Sequence, residues 1–129
     1  MIHVVDTHAL TRYVEDYRKL GAVGRAVFDD PNVMLVVPTI ALAEARFMIF
    51  RTKVGIVWDD IIQKLESDDR LIPTSLTIDV LNRVPNVLEM HDGIIVATAL
   101  LFSESLAEDV QVITRDKEIR DSGLVHTVW

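Results

Sequence analysis

The chain has 129 residues, half of them hydrophobic, which fits one compact domain over residues 1–129 with a substantial core. It contains no cysteine, which excludes disulfides and thiolate chemistry. The net charge of −7 argues against a protein that coats nucleic acid through charge alone, and leaves open a carboxylate-rich active site or a basic protein partner. No signal peptide or membrane span is recognisable, so we expect a soluble, cytoplasmic protein.

Short runs of β-type residues alternate with helical patterns along the chain, which predicts an α/β fold with a parallel sheet and helices on both faces. Strands are predicted at 2–5, 32–37, 71–73, 110–114 and 125–128. Pro73 favours an edge position for the third strand. Helices are predicted at 8–20, 23–30, 39–53, 59–67, 77–83 and 116–122, with a central helix from Glu89 through Leu100. We expect Thr39 to cap the third helix and Gly55 to follow its end.

The central helix is apolar around most of its circumference, which predicts that it is buried. Asp92 lies near its start, where unpaired N–H groups and the positive end of the helix dipole favour an anion. A helix cap is the simplest interpretation of Asp92 on its own. Membership of an acidic site is the alternative, and three further acids favour it.

Two of these acids follow strands. Asp6 stands at the end of the first strand, and Asp116 stands just past the end of the strand at 110–114. In open α/β sheets, sites form beyond the carboxyl ends of the strands. Both residues can also cap the helix that follows them. We therefore expect both acids at the same edge of the sheet, near Asp92.

Glu44 is the fourth acid, and its position in the third helix is unusual. Its neighbours three and four positions away are apolar: Ile40, Ala41, Phe47 and Met48. This pattern predicts that Glu44 turns into the protein, where a carboxylate without a partner is costly or remains protonated. The partner is either Arg51, two turns further on, or a cation shared with the other acids. The presence of those acids favours the cation.

Clustered carboxylates suit Mg²⁺ or Mn²⁺ rather than zinc, because the chain has no thiol and its histidines form no metal-binding spacing. Phosphoester hydrolysis is the usual chemistry of such clusters. The basic residues come in three groups, each close to a candidate acid. These groups are Arg12, Arg18, Lys19 and Arg25; Arg46, Arg51 and Lys53; and Arg115, Lys117 and Arg120.

Four motifs together resemble those of the PIN-domain ribonucleases, and most closely the VapC toxins of bacterial and archaeal toxin–antitoxin pairs. The resemblance covers essentially the whole chain. It rests on residues 5–10, 42–45, 91–99 and 114–116. Each motif is weak alone, but the four in this order and spacing are specific. Gly93 departs from the pattern, because the family more often has alanine there; the change loosens the helix start without removing a ligand.

The resemblance implies a three-layer sandwich and metal-dependent endonucleolytic cleavage of RNA. It implies a Mg²⁺ or Mn²⁺ site formed by Asp6, Glu44, Asp92 and Asp116. The Thr114 hydroxyl is expected to support this site. The resemblance further implies a homodimer and inhibition by a cognate antitoxin, whose basic or arginine-bearing tail enters the acidic groove. The acidity of the chain suits such a partner.

Other classes of protein fit the residues less well. An aspartyl-phosphate phosphatase needs a second aspartate two positions after Asp6, where His8 stands. A receiver domain needs paired acids after the first strand, and Asp6 has no acidic neighbour. A PIN-like binding protein without catalytic activity and an RNA-processing nuclease outside a toxin–antitoxin pair remain as alternatives. Asp121 is a spare acid that could replace Asp116, although we expect it at the surface.

Overall fold

The computed structural model covers residues 1–129 and contains five strands and seven α-helices. The strands are β1 (Ile2–Val5), β2 (Met34–Pro38), β3 (Leu71–Thr74), β4 (Gln111–Ile113) and β5 (Thr127–Val128). The helices are α1 (Thr7–Asp16), α2 (Ala22–Asp29), α3 (Thr39–Phe50), α4 (Trp58–Ser67), α5 (Ile78–Leu81), α6 (Met90–Leu106) and α7 (Lys117–Ser122), with a 3₁₀ turn at Tyr17–Lys19. None of these helices has the length and apolarity that a membrane span requires.

The five strands form one parallel sheet in the order β3-β2-β1-β4-β5. The predicted parallel sheet is therefore confirmed, and β3 lies at an edge as Pro73 indicated. The first strand is central, and its Val4 pairs with Val36 of β2 and Val112 of β4. The backbone N–H of Asp6 donates to the carbonyl of Ile113 at 3.3 Å, so the carboxyl ends of β1 and β4 lie side by side.

Successive residues of the central strands face opposite sides of the sheet, and both sides are covered by helices. Helices α1 to α4 cover one face and pack on a cluster that includes Val5, Leu35 and Ile113. Helix α6 covers the other face, where it packs against Val4, Val36 and Val112 through Ile95 and Ala99. Helix α5 packs on α6 through Val80. The architecture is a three-layer α/β/α sandwich, as predicted.

The third helix differs from its predicted bounds at both ends. Thr39 is its first residue and not its cap, because β2 runs through Pro38 directly into the helix. The helix ends at Phe50 instead of near Lys53, because Thr52 adopts a left-handed backbone conformation with φ of 52°. This reversal comes before Gly55, so that glycine has no role in ending the helix.

The predicted first helix is also interrupted. Its α-helical part ends at Asp16, whose backbone is extended with φ of −163°. The Asp16 carboxylate accepts a hydrogen bond from the backbone N–H of Arg18 at 3.1 Å and starts the 3₁₀ turn. The apolar periodicity continues through this break, which is why the sequence pattern did not reveal it.

A polar network ties α1 to the segment before β3. Arg70 donates to the carboxylate of Asp68 at 2.9 Å and to the carbonyl oxygens of Phe28 and Asp30 at 2.6 and 2.7 Å. The Tyr13 hydroxyl donates to the same carboxylate at 2.6 Å. The hydrogen bonds from Arg70 hold the pKa of Asp68 well below its usual range, whereas burial and the adjacent carboxylate raise the pKa of Tyr13 to about 12.

This network predicts that Asp68→Asn lowers the free energy of unfolding by about 3 kcal/mol at neutral pH, because Arg70 then loses the partner of a largely buried charge. The pKa of Asp68 is lower in the folded than in the unfolded chain. Its stabilisation is therefore present above the unfolded-state pKa of about 3.9 and is lost as the pH falls through the folded-state pKa. Urea denaturation of both proteins at a series of pH values measures this loss.

Asp16→Asn is the matched control, because Asp16 forms an ion pair with an arginine two residues away, as Asp68 does, but at the exposed surface. We expect a much smaller change from it, since exposed pairs contribute little. Equal losses from the two variants would show that the Asp68 network has no special role in stability.

Candidate functional site

Three predicted site residues meet where β1 and β4 end. Asp6 is 5% exposed, and its Oδ1 caps α1 by accepting from the backbone N–H of Ala9 at 2.8 Å. Asp116 caps α7 in the same way, since its Oδ1 accepts from the N–H of Ile119 at 3.0 Å. The buried Thr114 hydroxyl accepts from the N–H of Asp116 at 3.0 Å. Both aspartates are therefore helix caps, and in both the cap uses one carboxylate oxygen.

Asp92 is not a cap, so the simplest interpretation of its position is wrong. Glu89 precedes α6 and caps it, accepting from the N–H groups of His91 at 3.0 Å and Asp92 at 3.4 Å. This leaves the half-buried Asp92 carboxylate without a hydrogen bond from the protein. Burial raises the pKa of Asp92 to about 6, with further contributions from the charges of four neighbouring acids: Asp116, Glu89, Glu44 and Glu118.

The pKa of Asp6 is raised as well. Burial is the main cause that raises the pKa of Asp6, and the charge of Asp116 adds to it. The Thr114 hydroxyl and the N–H of Ala9 act in the opposite direction, because they stabilise the ionised form. Asp116 therefore influences both Asp6 and Asp92, which lie in different layers of the sandwich.

Glu44 lies at the surface of α3 and is half-buried, so the prediction that it turns into the protein is wrong. The residues that α3 buries are Ala41 and Ala45, while Phe47 is 60% exposed. Of the apolar neighbours of Glu44, Ala41 is buried and Ile40 packs against the core, whereas Phe47 is uncovered. Glu44 forms no salt bridge with Arg51 and accepts no hydrogen bond from the protein. It lines a cavity of about 520 Å³ together with Ile40, Ala43, Phe47, Met48, Arg51, Lys53 and His91.

No three acidic or histidine side chains lie close enough together in this structure to hold a metal ion. The raised pKa of Asp92 nevertheless places Glu44 and Asp116 within electrostatic range of it. The donor chemistry fits a hard divalent cation, because the nearby groups are carboxylates and a cation would relieve their repulsion.

The spare acid Asp121 and two of the histidines have structural partners of their own. His3 is buried on β1 and hydrogen-bonds to Gln111 at 3.1 Å. His126 pairs with Asp109 at 2.8 Å. Asp121 is exposed on α7 and pairs with Lys117, so it lies at the surface as expected.

A second cavity, of about 560 Å³, adjoins the first and was not predicted. Its charged lining is mostly basic and comprises His8, Arg12, Glu15, Lys19, Lys53 and Arg115. Met48 and Lys53 line both cavities. Each of the three basic groups in the sequence contributes to this surface, so their position close to the candidate acids was a usable signal.

Comparison with known proteins supports the fold. No family model matches the chain, and no curated protein matches it. Among solved structures, it is similar to a crystal structure of VapBC2 from Rickettsia felis bound to a DNA fragment from its promoter, with a TM-score of 0.70 and 14% sequence identity. The match covers 100% of this chain and 99% of that chain. The fold is PIN-like. At this level of identity, the similarity establishes the fold alone.

The electrostatics of Asp92 predict that Asp92→Asn stabilises the metal-free protein at neutral pH. Because the folded-state pKa of Asp92 is raised to about 6, its protonated form stabilises the fold, and this contribution is lost as the pH rises through that value. The stability of the wild type relative to the variant should therefore decrease between about pH 4 and pH 6. Urea denaturation in EDTA across this range measures the difference.

Asp121→Asn is the control, since it removes an exposed aspartate that has a lysine partner. It should produce no gain at neutral pH. A loss of stability in Asp92→Asn at neutral pH would mean that the ionised carboxylate makes a favourable structural interaction.

Proposed function

We propose that this protein is a metal-dependent endoribonuclease that hydrolyses RNA phosphodiester bonds and acts as the toxin of a toxin–antitoxin pair. The observation that carries the proposal is the Asp92 carboxylate, which is half-buried, lacks a hydrogen bond and lies in the field of four other acids. Such an arrangement costs stability, and a function that uses the negative charge explains why it is present. The PIN-like fold and the four sequence motifs support the same activity.

In this proposal, Asp6, Glu44, Asp92 and Asp116 hold Mg²⁺ or Mn²⁺. When bound, such an ion lowers the pKa of water and stabilises negative charge on the phosphodiester. The Thr114 hydroxyl positions the acids at the sheet edge, since it accepts from the backbone of Asp116 and stabilises ionised Asp6. The α1 and α7 caps each use one carboxylate oxygen, so Asp116 keeps a second oxygen that accepts no hydrogen bond from the protein, whereas the Asp6 carboxylate also interacts with the Thr114 hydroxyl.

A PIN-like binding protein without catalytic activity is the second candidate. The observation that favours it is the lack of three acidic side chains already arranged at metal-binding distance. An RNA-processing nuclease outside a toxin–antitoxin pair would share the site with the first candidate and differ in its partner. Cleavage assays with and without EDTA separate the binding protein from both nucleases.

The proposal predicts that the wild type cleaves single-stranded RNA with Mg²⁺ or Mn²⁺, and that EDTA abolishes cleavage. Asp6→Asn and Asp92→Asn should each lower the rate by about a hundredfold or more, because each removes a negative ligand with little change in shape. Gel assays of labelled RNA measure the rates, and melting curves verify folding. Asp121→Asn should keep wild-type activity. Full activity in folded Asp92→Asn would exclude this residue from the site.

Glu44→Gln tests metal binding independently of activity. A cation that binds only the folded state stabilises it by about 2.7 kcal/mol at a hundredfold excess over its dissociation constant. Mn²⁺ should therefore raise the melting temperature of the wild type and raise that of Glu44→Gln less. Since Glu44 has no salt bridge, the variant should be at least as stable as the wild type without metal. An unchanged metal shift would remove Glu44 from the ligand set.

We further propose that the protein forms a homodimer and is inhibited by a cognate antitoxin. Large apolar side chains are exposed on α3 and around α5, including Phe50 at 63% and Ile78 at 71%, and they suit protein contacts. The Asp92 carboxylate lies in the field of four other acids, which suits an antitoxin segment bearing arginine. We expect a neighbouring reading frame to encode a small protein that abolishes RNA cleavage when added in stoichiometric amount. Retention of full activity in the resulting complex would contradict this role.

A further inference from the structure

We propose that the basic cavity beside the acidic site binds a phosphate of the RNA that flanks the phosphodiester being cut. The inference rests on the proposed ribonuclease function and assigns a second binding site to the same substrate. Arg12 and Arg115 are its principal groups. Lys19 and Lys53 lie in the same cavity, and Glu15 is its one acidic residue.

The two arginines are held around a single aromatic ring. The guanidinium carbon of Arg12 lies 5.4 Å from the centroid of the Trp129 ring, and that of Arg115 lies 5.7 Å from it. The main chain of Trp129 packs against Gly21, which directly precedes α2. The contact is so close that a Cβ atom on Gly21 would lie 2.6 Å from the Trp129 carbonyl carbon. A side chain at Gly21 would therefore displace the tryptophan. The glycine permits the contact that places both positive charges at one cavity.

The charges in this cavity are not balanced within the protein. Lys19 pairs with Glu15 at 3.1 Å, which occupies the single acid. Arg12 donates to the carbonyl of Lys19 at 3.2 Å, and neither Arg12 nor Arg115 forms a salt bridge. Burial, and then repulsion from Arg115, lower the pKa of Arg12, while the charges of Asp6 and Glu15 act more weakly in the opposite direction. A bound anion would relieve this repulsion, as a cation would relieve the repulsion among the neighbouring acids.

The basic cavity adjoins the acidic site. Arg115 directly precedes Asp116, and Arg12 lies on α1, six residues beyond Asp6. Six residues of helix correspond to about 9 Å. A nucleotide chain whose scissile phosphate lies at the acids would therefore bring a neighbouring phosphate to the arginines. The planar guanidinium group pairs with phosphate through two hydrogen bonds, which favours RNA as the ligand. A carboxylate-bearing peptide is less suitable, because the neighbouring acids would repel it.

Binding in EDTA tests the inference without cleavage. Fluorescence anisotropy of a labelled single-stranded RNA, measured over a series of KCl concentrations, yields the affinity and its salt dependence. Arg12→Gln and Arg115→Gln should each weaken binding about tenfold, as expected for loss of one charge-assisted contact. Each should also reduce the slope of log K against log salt by about 0.7, the value for one phosphate contact in a single strand.

Arg120→Gln is the matched control, because Arg120 is an exposed arginine on α7 outside the cavity. It removes the same charge and should leave affinity and slope unchanged. RNAs that carry one neutral methylphosphonate linkage at a time locate the contact. A neutral linkage at the flanking position should weaken binding by the wild type and cause no further loss in Arg115→Gln.

The inference is overturned if folded Arg12→Gln and Arg115→Gln bind RNA like Arg120→Gln, or if the wild type does not bind RNA. RNA binding that does not depend on these arginines would indicate that the cavity binds an acidic protein segment instead. Cleavage is a separate readout. Arginine-dependent binding by a protein that does not cleave RNA with Mg²⁺ or Mn²⁺ would refute the nuclease function and retain the phosphate site.

Discussion

The parallel pairing of β1 with β2 and β4 is the constraint on which the candidate site depends. Parallel strands end at the same edge of a sheet, so the residues that follow β1 and β4 become neighbours although more than a hundred positions separate them. This pairing brings Asp6 beside Thr114 and Asp116. Helix α6 then adds Asp92 from the opposite layer, because its apolar body packs on the face that carries Val4.

Charge is distributed over this edge in a way that the net charge of −7 does not reveal. The charges of four acids surround Asp92, and two arginines that form no salt bridge lie around Trp129. Each group opposes folding through repulsion of like charges, so stability must come from elsewhere. The apolar core supplies most of this stability, together with the hydrogen-bonded network around Arg70. Groups with strongly perturbed pKa values are concentrated at sites that serve binding or catalysis.

Helix capping and site membership are compatible roles for an aspartate. Asp6 and Asp116 each cap a helix with one carboxylate oxygen, which orients the side chain. Asp92 is freed from capping because Glu89 takes that role. The similarity to a solved structure at 14% identity shows that the same fold forms from a largely different sequence.

The sequence by itself determined the succession of strands and helices along the chain, the burial of the central helix and the edge position of β3. Local periodicity and Pro73 carry that information. It also identified the acids at the strand ends, because residues that follow parallel strands lie at the same edge of the sheet. Tertiary structure alone decided which apolar faces are covered. Glu44 has apolar neighbours in either case, but α3 buries Ala41 and Ala45 and leaves Phe47 exposed. The contact of Trp129 with arginines from two distant elements likewise depends on long-range packing, which no local pattern encodes.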